Sequence, residues 1–235
     1  MAGLGTLHVI PVPLATPSRW SGLELRELVA RIDFWIVETP KVARAQLRVL
    51  HTECDLGRLT LTSWSKHGGN DAKSALAACR AGHDVGLISD AGAPGMADPG
   101  AEVVAQAHAE GISVVAWPGP SSFLLGLMAS GLGGQQFRFH GYLPHDSTAR
   151  KGLLNRMERD AAQGESQWFI ETPYRNTKLF SELCQTLQPE TQLFIGLGLT
   201  GPHEWVQRRS VRAWRSEGIP GALTAKEPAI WALGR

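Results

Sequence analysis

The stretch Val85-Gly-Leu-Ile-Ser-Asp-Ala-Gly-Ala-Pro-Gly-Met-Ala-Asp-Pro-Gly100 decides the fold. Its first four residues form a short apolar run, which reads as a buried strand. Asp90 lies just past the strand's carboxyl end. Gly92, Pro94, Gly95, Pro99 and Gly100 then forbid regular structure across the turn. Ala101, Val103, Val104, Ala107 and His108 follow at helical spacing. Open α/β sheets bind ligands where a strand gives way to such a loop and helix, because glycine lets the backbone approach a ligand closely. Asp98 reads as the N-cap of the helix, with Pro99 at its first position. The loop as a whole is longer and stiffer than a turn requires.

The same alternation extends on both sides. Residues 5–12 read as a first strand running into Pro11-Val-Pro-Leu-Ala-Thr-Pro17, a loop stiffened by three prolines. Residues 23–32 read as a helix with Ser21 and Glu24 as a capping box. Residues 34–37 read as a strand ending at Glu38, residues 41–50 as a helix, and residues 59–61 as a short strand. The loop Ser65-Lys-His-Gly-Gly-Asn-Asp71 leads into a helix over 72–81. Residues 112–116 form a strand before Trp117-Pro-Gly-Pro-Ser-Ser122 and an apolar helix over 123–130. This recurrence predicts a parallel sheet with helices on both faces.

The pattern breaks at 131–135. Beyond it the sequence predicts strands at 137–142, 168–170, 193–199, 205–208 and 229–233, with helices over 148–163 and 177–187. The stretch Leu143-Pro-His-Asp-Ser147 reads as a linker into the second half. The fold class is therefore α/β, with two α/β domains over 1–134 and 135–235, a mixed second sheet, and a ligand cleft expected between the two.

The 23 basic residues almost balance the 22 acidic ones, whereas a free-standing nucleic-acid binder carries a clear basic excess. Cys54, Cys79 and Cys184 are widely spaced and lack CxxC spacing, which predicts a reducing, cytoplasmic setting. The eight histidines have no ligand spacing, so no metal site is expected. No signal peptide and no membrane span are expected. The absence of GxGxxG after the first strand argues against a dinucleotide oxidoreductase.

Several loops together resemble the class III S-adenosylmethionine methyltransferases, the tetrapyrrole-methylase-like family, and among them the small-subunit ribosomal RNA cytidine 2′-O-methyltransferases. The matching pieces are Gly5-Thr-Leu-His-Val-Ile-Pro-Val-Pro-Leu14, Leu87-Ile-Ser-Asp-Ala-Gly-Ala-Pro-Gly-Met-Ala-Asp-Pro-Gly100 and Val114-Val-Ala-Trp-Pro-Gly-Pro-Ser-Ser122. Ala129-Ser-Gly131, His140-Gly-Tyr-Leu-Pro144 and Ile170-Glu-Thr-Pro-Tyr-Arg175 complete the set, in the family's order. The resemblance implies two α/β domains with S-adenosylmethionine in the cleft between them, and a homodimer. It implies cofactor contacts from Pro13, Asp90, Ala93, Ser121 and Ser122, and from backbone near Ile170, Leu199 and Ala229. A carboxylate such as Asp90 suits a cationic ligand. Ser121 and Ser122 precede a helix, where they can hold a carboxylate, cap the helix, or do both.

Three loops depart from the ribosomal branch. Val12-Pro-Leu-Ala-Thr-Pro17 lacks its Gly-Asn pair, Glu38-Thr-Pro-Lys41 lacks an arginine, and Leu197-Gly-Leu-Thr-Gly201 lacks two charges. The resemblance places these positions on the acceptor side. The sequence ends soon after the core, so no C-terminal RNA-binding extension is expected.

A hydroxyl acceptor loses a proton as the methyl arrives, so a base or a cation beside the oxygen helps. Glu38, Lys66, Glu171 and Arg175 are the expected acceptor-side residues. Lys66, His67, Tyr174 and Arg175 sit on loops where they can bind a phosphate or orient a base. The competing reading is an inter-domain ion pair such as Glu171 with Arg175, or solvated charges. Arg208, Arg209, Arg212 and Arg215 either track an RNA backbone or form a solvated face, and the balanced charge favours the second. Trp64 and Trp117 are placed to stack on a base. The leading function is methylation of ribosomal RNA ribose, with the small ribosomal subunit as partner. A tetrapyrrole or other small-molecule acceptor, and a non-catalytic S-adenosylmethionine-binding protein, are the alternatives.

Overall fold

The computed structural model describes residues 3–16, 18–20, 22–64 and 71–235. Within it the chain forms two compact units, 1–121 and 122–235.

The first unit carries five strands: β1 (Thr6–Val9), β2 (Phe34–Val37), β3 (Thr60–Ser63), β4 (Val85–Ile88) and β5 (Ser113–Ala116). They form one all-parallel sheet in the order β3-β2-β4-β1-β5. Its helices are α1 (Arg26–Arg31), α2 (Pro40–Leu50), α3 (Ala72–Ala75), α4 (Ala77–Arg80) and α5 (Ala101–Ala109). The central strand β4 is buried along its whole length, as its apolar run predicts. Gly86 makes that possible: a Cβ there would lie 2.3 Å from ring carbons of Trp35, its neighbour on β2. Separate apolar clusters pack the two sides of the sheet, one around Trp35, Leu47 and Leu50, the other around Leu7, Leu76, Leu87 and Val103.

Several expectations are corrected. The predicted helix over 72–81 breaks at Leu76 into α3 and α4. The first strand spans only Thr6–Val9, because Pro11 and Pro13 lack the amide hydrogens a ladder needs. Helix α5 is entered through Gly100, whose φ of 129° is glycine territory, so Pro99 precedes the helix and Asp98 is not its N-cap. Ser21 lies outside the described residues, as does the Glu24 side chain, so the proposed capping box does too.

The second unit begins with helix α6 (Ser122–Ser130), followed by β6 (Phe137–Tyr142), α7 (Ser147–Ala162), β7 (Ser166–Glu171), α8 (Asn176–Thr186), β8 (Gln192–Leu197), β9 (Trp205–Ser210), α9 (Val211–Glu217) and β10 (Ala229–Gly234). Its sheet is mixed, in the order β6-β7-β10-β8-β9, with only β6 and β7 parallel. The units divide thirteen residues before the predicted 134/135 boundary, because α6 packs on the second sheet. Phe123 meets Trp168 edge-on at 5.6 Å, and Gly126 lets α6 close on Trp168 and Ile230, which a Cβ would approach to about 3 Å. The opposite face of the sheet is sealed by Leu154, Met157, Phe180, Leu183 and Trp214 from α7, α8 and α9. The stretch 143–147 is no linker between halves but a loop of the second unit that runs into the first residue of α7, fixed by a buried arginine described below. Helix α9 was not expected.

Candidate functional site

Strand order picks out one point on the first sheet. From β1 the chain crosses over β4 to reach β2, and from β4 it crosses over β1 to reach β5. The neighbours β1 and β4 therefore send their connections in opposite directions. This is a topological switch point, where the carboxyl-end loops part and open α/β sheets take ligands. The loops after β1, β4 and β5 carry Pro13, Asp90, Ala93 and Ser121.

These loops are interlocked. Val12 and Gly92 exchange backbone hydrogen bonds of 2.9 and 3.0 Å. Gly92 has a φ of 72°, and a Cβ there would strike Leu14 at 2.9 Å. A Cβ on Gly119 would strike Pro11 at 2.6 Å, so the third loop lies equally close to the first. Ser121 donates its hydroxyl to the Met96 sulfur at 3.2 Å.

Asp90 is half-buried at the centre. Its Oδ2 accepts from the Thr39 hydroxyl at 2.7 Å and its Oδ1 from the Thr39 amide at 3.1 Å. Glu38 Oε2 accepts from the Asp90 amide at 3.3 Å, tying the end of β2 to the loop after β4. From α2, Gln46 donates its Nε2 to the carbonyls of Asp90 (3.0 Å) and Pro13 (3.3 Å), tying the first loop to the central one. Gln46 Oε1 is buried and has no partner among the described residues. Among the described residues each Asp90 oxygen has one donor, from Thr39, and a carboxylate oxygen can accept two.

In the second unit, the sheet register gathers predicted residues at one rim. Glu171 pairs with Ala229, which pairs on its other side with Leu197, and Ile170 faces Ile230. Gly198 then donates to the Pro228 carbonyl at 3.0 Å, setting Leu199 at the same rim. Asn176 is fully buried there. It donates Nδ2 to the Glu227 carbonyl at 2.9 Å, while its Oδ1 has no partner among the described residues. Ser122 opens α6.

Glu171 is buried and fully engaged. Its Oε1 accepts from the Thr172 amide (2.7 Å) and hydroxyl (3.2 Å), and its Oε2 pairs with Arg175 Nε at 3.2 Å. Both residues belong to one unit, so the expected ion pair exists but is not inter-domain. Arg175 Nη1 reaches His145 Nδ1 at 2.5 Å. Arginine only donates, so that nitrogen accepts. His145 rides on the loop clamped by Arg150, which donates to the Pro144 and His145 carbonyls and forms a two-armed pair with Glu182 at 2.7 and 2.8 Å. Glu182 pushes the already high Arg150 pKa higher still.

Other expected residues fall elsewhere. Lys66 and His67 lie outside the described residues. Trp64 is buried in the core, and Trp117 gives its indole N–H to His8 at 3.1 Å. The four arginines of the basic run are each held inside the unit. Arg208 binds the Gly131 carbonyl, Arg209 pairs with Glu217, Arg212 with Glu190, and Arg215 binds the carbonyls of Cys184 and Leu187. No cluster of metal-ligating side chains occurs among the described residues. No helix among them is long and apolar enough to cross a membrane.

Thr39, Gln46 and Asn176 were missed in the sequence reading. A signal existed for two of them: Gln46 sits on the stripe Ala43, Leu47, Leu50, and Asn176 on the stripe Leu179, Phe180, Leu183. A polar residue on an apolar helix face needs a partner.

Residues 38–213 match the sequence profile of the tetrapyrrole (corrin/porphyrin) methylases. The chain is 34% identical over 228 residues to a ribosomal RNA small subunit methyltransferase I of Mesorhizobium japonicum, covering 97% of this chain and 74% of that one. It is 28% identical over 225 residues to the protein of the same name in Synechocystis, covering 92% and 76%. Among solved structures it resembles the methyltransferase CobJ, with a TM-score of 0.63 at 18% identity over 98% of this chain and 94% of that one. It also resembles a uroporphyrin-III C-methyl transferase from Thermus thermophilus complexed with S-adenyl homocysteine, with a TM-score of 0.58 at 16% identity over 98% of each chain. At these identities the structural likeness is one of fold.

Proposed function

Because this chain belongs to the tetrapyrrole methylase family and is an S-adenosylmethionine-dependent methyltransferase, we propose that it methylates small-subunit ribosomal RNA, at the ribose 2′-oxygen of a cytidine. The observation that carries the acceptor is the 34% identity, across nearly the whole chain, to a relative named for that substrate. The tetrapyrrole enzymes resemble it in fold at half that identity.

The residues suit the cofactor. Bound S-adenosylmethionine supplies an electrophilic methyl on a positively charged sulfur, and it carries an amino group, ribose hydroxyls and an adenine amine as donors. Asp90 has unused acceptor capacity and negative charge for such donors. Among the described residues Gln46 Oε1 and Asn176 Oδ1 are acceptors without partners, Gln46 being bonded to the Asp90 and Pro13 carbonyls and Asn176 to that of Glu227, two residues before Ala229. In the first unit the proposed contacts are Pro13, Asp90, Ala93 and Ser121. In the second they are Ser122, Ile170, Leu199 and Ala229.

On the acceptor side, Glu38 is the carboxylate with an oxygen to spare for a hydroxyl proton. Glu171 has both oxygens occupied and acts as a positioning residue for Arg175, whose guanidinium takes phosphate charge. Lys66 belongs to the same proposal. A homodimer does as well: α6 leaves Leu124 and Met128 51% and 74% exposed, apolar surface for a second copy to cover.

The test is transfer of labelled methyl groups to small ribosomal subunits from a strain lacking the enzyme, followed by nucleoside analysis. Label in 2′-O-methylcytidine is expected. Cofactor binding without label in ribosomal RNA overturns the acceptor assignment.

A further inference from the structure

The 3₁₀ turn Pro173–Arg175 that follows β7 carries a feature methyl transfer does not use. Tyr174 is 80% exposed, although both its neighbours in space and chain are fixed. Arg175 is held by buried Glu171 and by His145, and the next residue, Asn176, is fully buried. Lys226 sets its Nζ 5.5 Å from the centre of the Tyr174 ring. Lys226 is thus held over one exposed ring, and the Arg175 guanidinium follows on the next residue of the chain. The acidic groups nearby do not cancel them: Glu171 is buried against Arg175, and Glu227 is half-buried with its stem packed against Gly198.

An exposed aromatic ring bordered by cations matches single-stranded nucleic acid. The ring stacks a base, and the cations take the flanking phosphates. A protein docking face needs contiguous apolar surface instead, and Thr172 and Lys178, the exposed residues flanking this turn, are polar or charged.

We propose that Tyr174 and Lys226 form a docking platform for an unpaired nucleotide of the acceptor RNA, the base stacked on the face of Tyr174 opposite Lys226 and the flanking phosphates held by Lys226 and Arg175. This inference rests on ribosomal RNA being the acceptor. It also gives the chain a local RNA contact that its near-zero net charge does not advertise.

The test measures anisotropy of the full-length protein with a short fluorescein-labelled single-stranded RNA, alongside methylation of unmodified small ribosomal subunits. Tyr174→Ala weakens RNA binding about tenfold, while Tyr174→Phe keeps wild-type affinity. Lys226→Ala lowers the slope of log affinity against log salt by about 0.7. Every variant retains the wild-type melting temperature and calorimetric affinity for S-adenosylhomocysteine. If the wild type methylates ribosomal RNA while Tyr174→Ala and Lys226→Ala bind RNA unchanged, the platform is refuted and the acceptor assignment stands. If the wild type neither binds nor methylates RNA, both fall. A Tyr174→Ala defect in binding uroporphyrin, with RNA binding unaffected, also overturns the platform.

Discussion

Replacing Asp90 with alanine separates cofactor binding from stability, and the structure sets both magnitudes. The substitution removes two hydrogen bonds from Thr39, at 2.7 and 3.1 Å. Thr39 is also the N-cap residue of α2, yet its side chain makes no cap bond, being turned to Asp90 instead. Without the carboxylate its hydroxyl is free to cap α2, a contribution of about 1 kcal/mol. The site is half-open to water, so the remaining loss is small. The net cost to folding is about 1 kcal/mol or less. A hydrogen bond to a charged group in a binding site contributes about 1.5–3 kcal/mol, or roughly 10- to 150-fold in Kd. Calorimetric titration of wild type and Asp90→Ala with S-adenosylmethionine and S-adenosylhomocysteine checks this. Both ligands carry the amino group and the ribose, and only the first carries the sulfonium charge. An equal loss for both is expected if Asp90 accepts from an amino group or hydroxyl. Asp90→Asn keeps one acceptor and falls between. A Kd within twofold of wild type for both ligands, on a variant that still unfolds cooperatively, would refute the assignment of Asp90 to the cofactor.

Arg150→Met leaves Glu182 and two loop carbonyls without their donor; because Arg150 is 4% exposed and the Glu182 side chain 22%, the expected loss is about 3 kcal/mol, and an unchanged urea midpoint contradicts it. His8 is buried beside Trp117, and burial lowers its pKa below the ordinary 6.5, with Asp84 opposing and Arg31 assisting. Its stabilising contribution is therefore complete above about pH 6.5 and falls away as the pH drops through the lowered value; melting temperatures across that range should decline less in His8→Asn than in wild type. Gly86→Ala drives a methyl to within 2.3 Å of the Trp35 ring and costs about 3 kcal/mol or more, so expression of a soluble protein with wild-type stability would show that β2 and β4 are not packed as described.

The first sheet was legible because buried parallel strands leave continuous apolar runs. Residues 34–37 and 85–88 were read to the residue, and Asp90 announced itself as a carboxylate between a strand end and a glycine-rich loop. The domain boundary was not legible. In Phe123-Leu-Leu-Gly-Leu-Met-Ala129 apolar residues occupy every side of the helix, so periodicity names no face and cannot say which sheet the helix joins. Only the contacts of Phe123 and Gly126 decide it. Helix α9 failed for the opposite reason. In seven residues only Val211 and Trp214 point inward, too few to establish a period. Gln46 and Asn176 were passed over because one polar residue on an apolar stripe reads as a break in the pattern. Arg150 was missed likewise, although it lies four residues before Leu154 and seven before Met157 on the buried face of α7.

The basic residues show where sequence reasoning about charge reaches its limit. Arg208, Arg209, Arg212 and Arg215 are adjacent in sequence and suggest a patch. Their partners come from Gly131, Glu217, Glu190, Cys184 and Leu187, and only the fold brings those together. A guanidinium has five donors, so one that already holds a carboxylate or a carbonyl keeps others for a phosphate, but those bonds fix where its plane lies. Lys226 lies far from Tyr174 in sequence and belongs to no run of charge, yet the fold sets its ammonium over that exposed ring. A local excess of charge in the sequence therefore marked arginines that the fold pairs within the unit, while the approach of Lys226 to an exposed ring was visible only after folding.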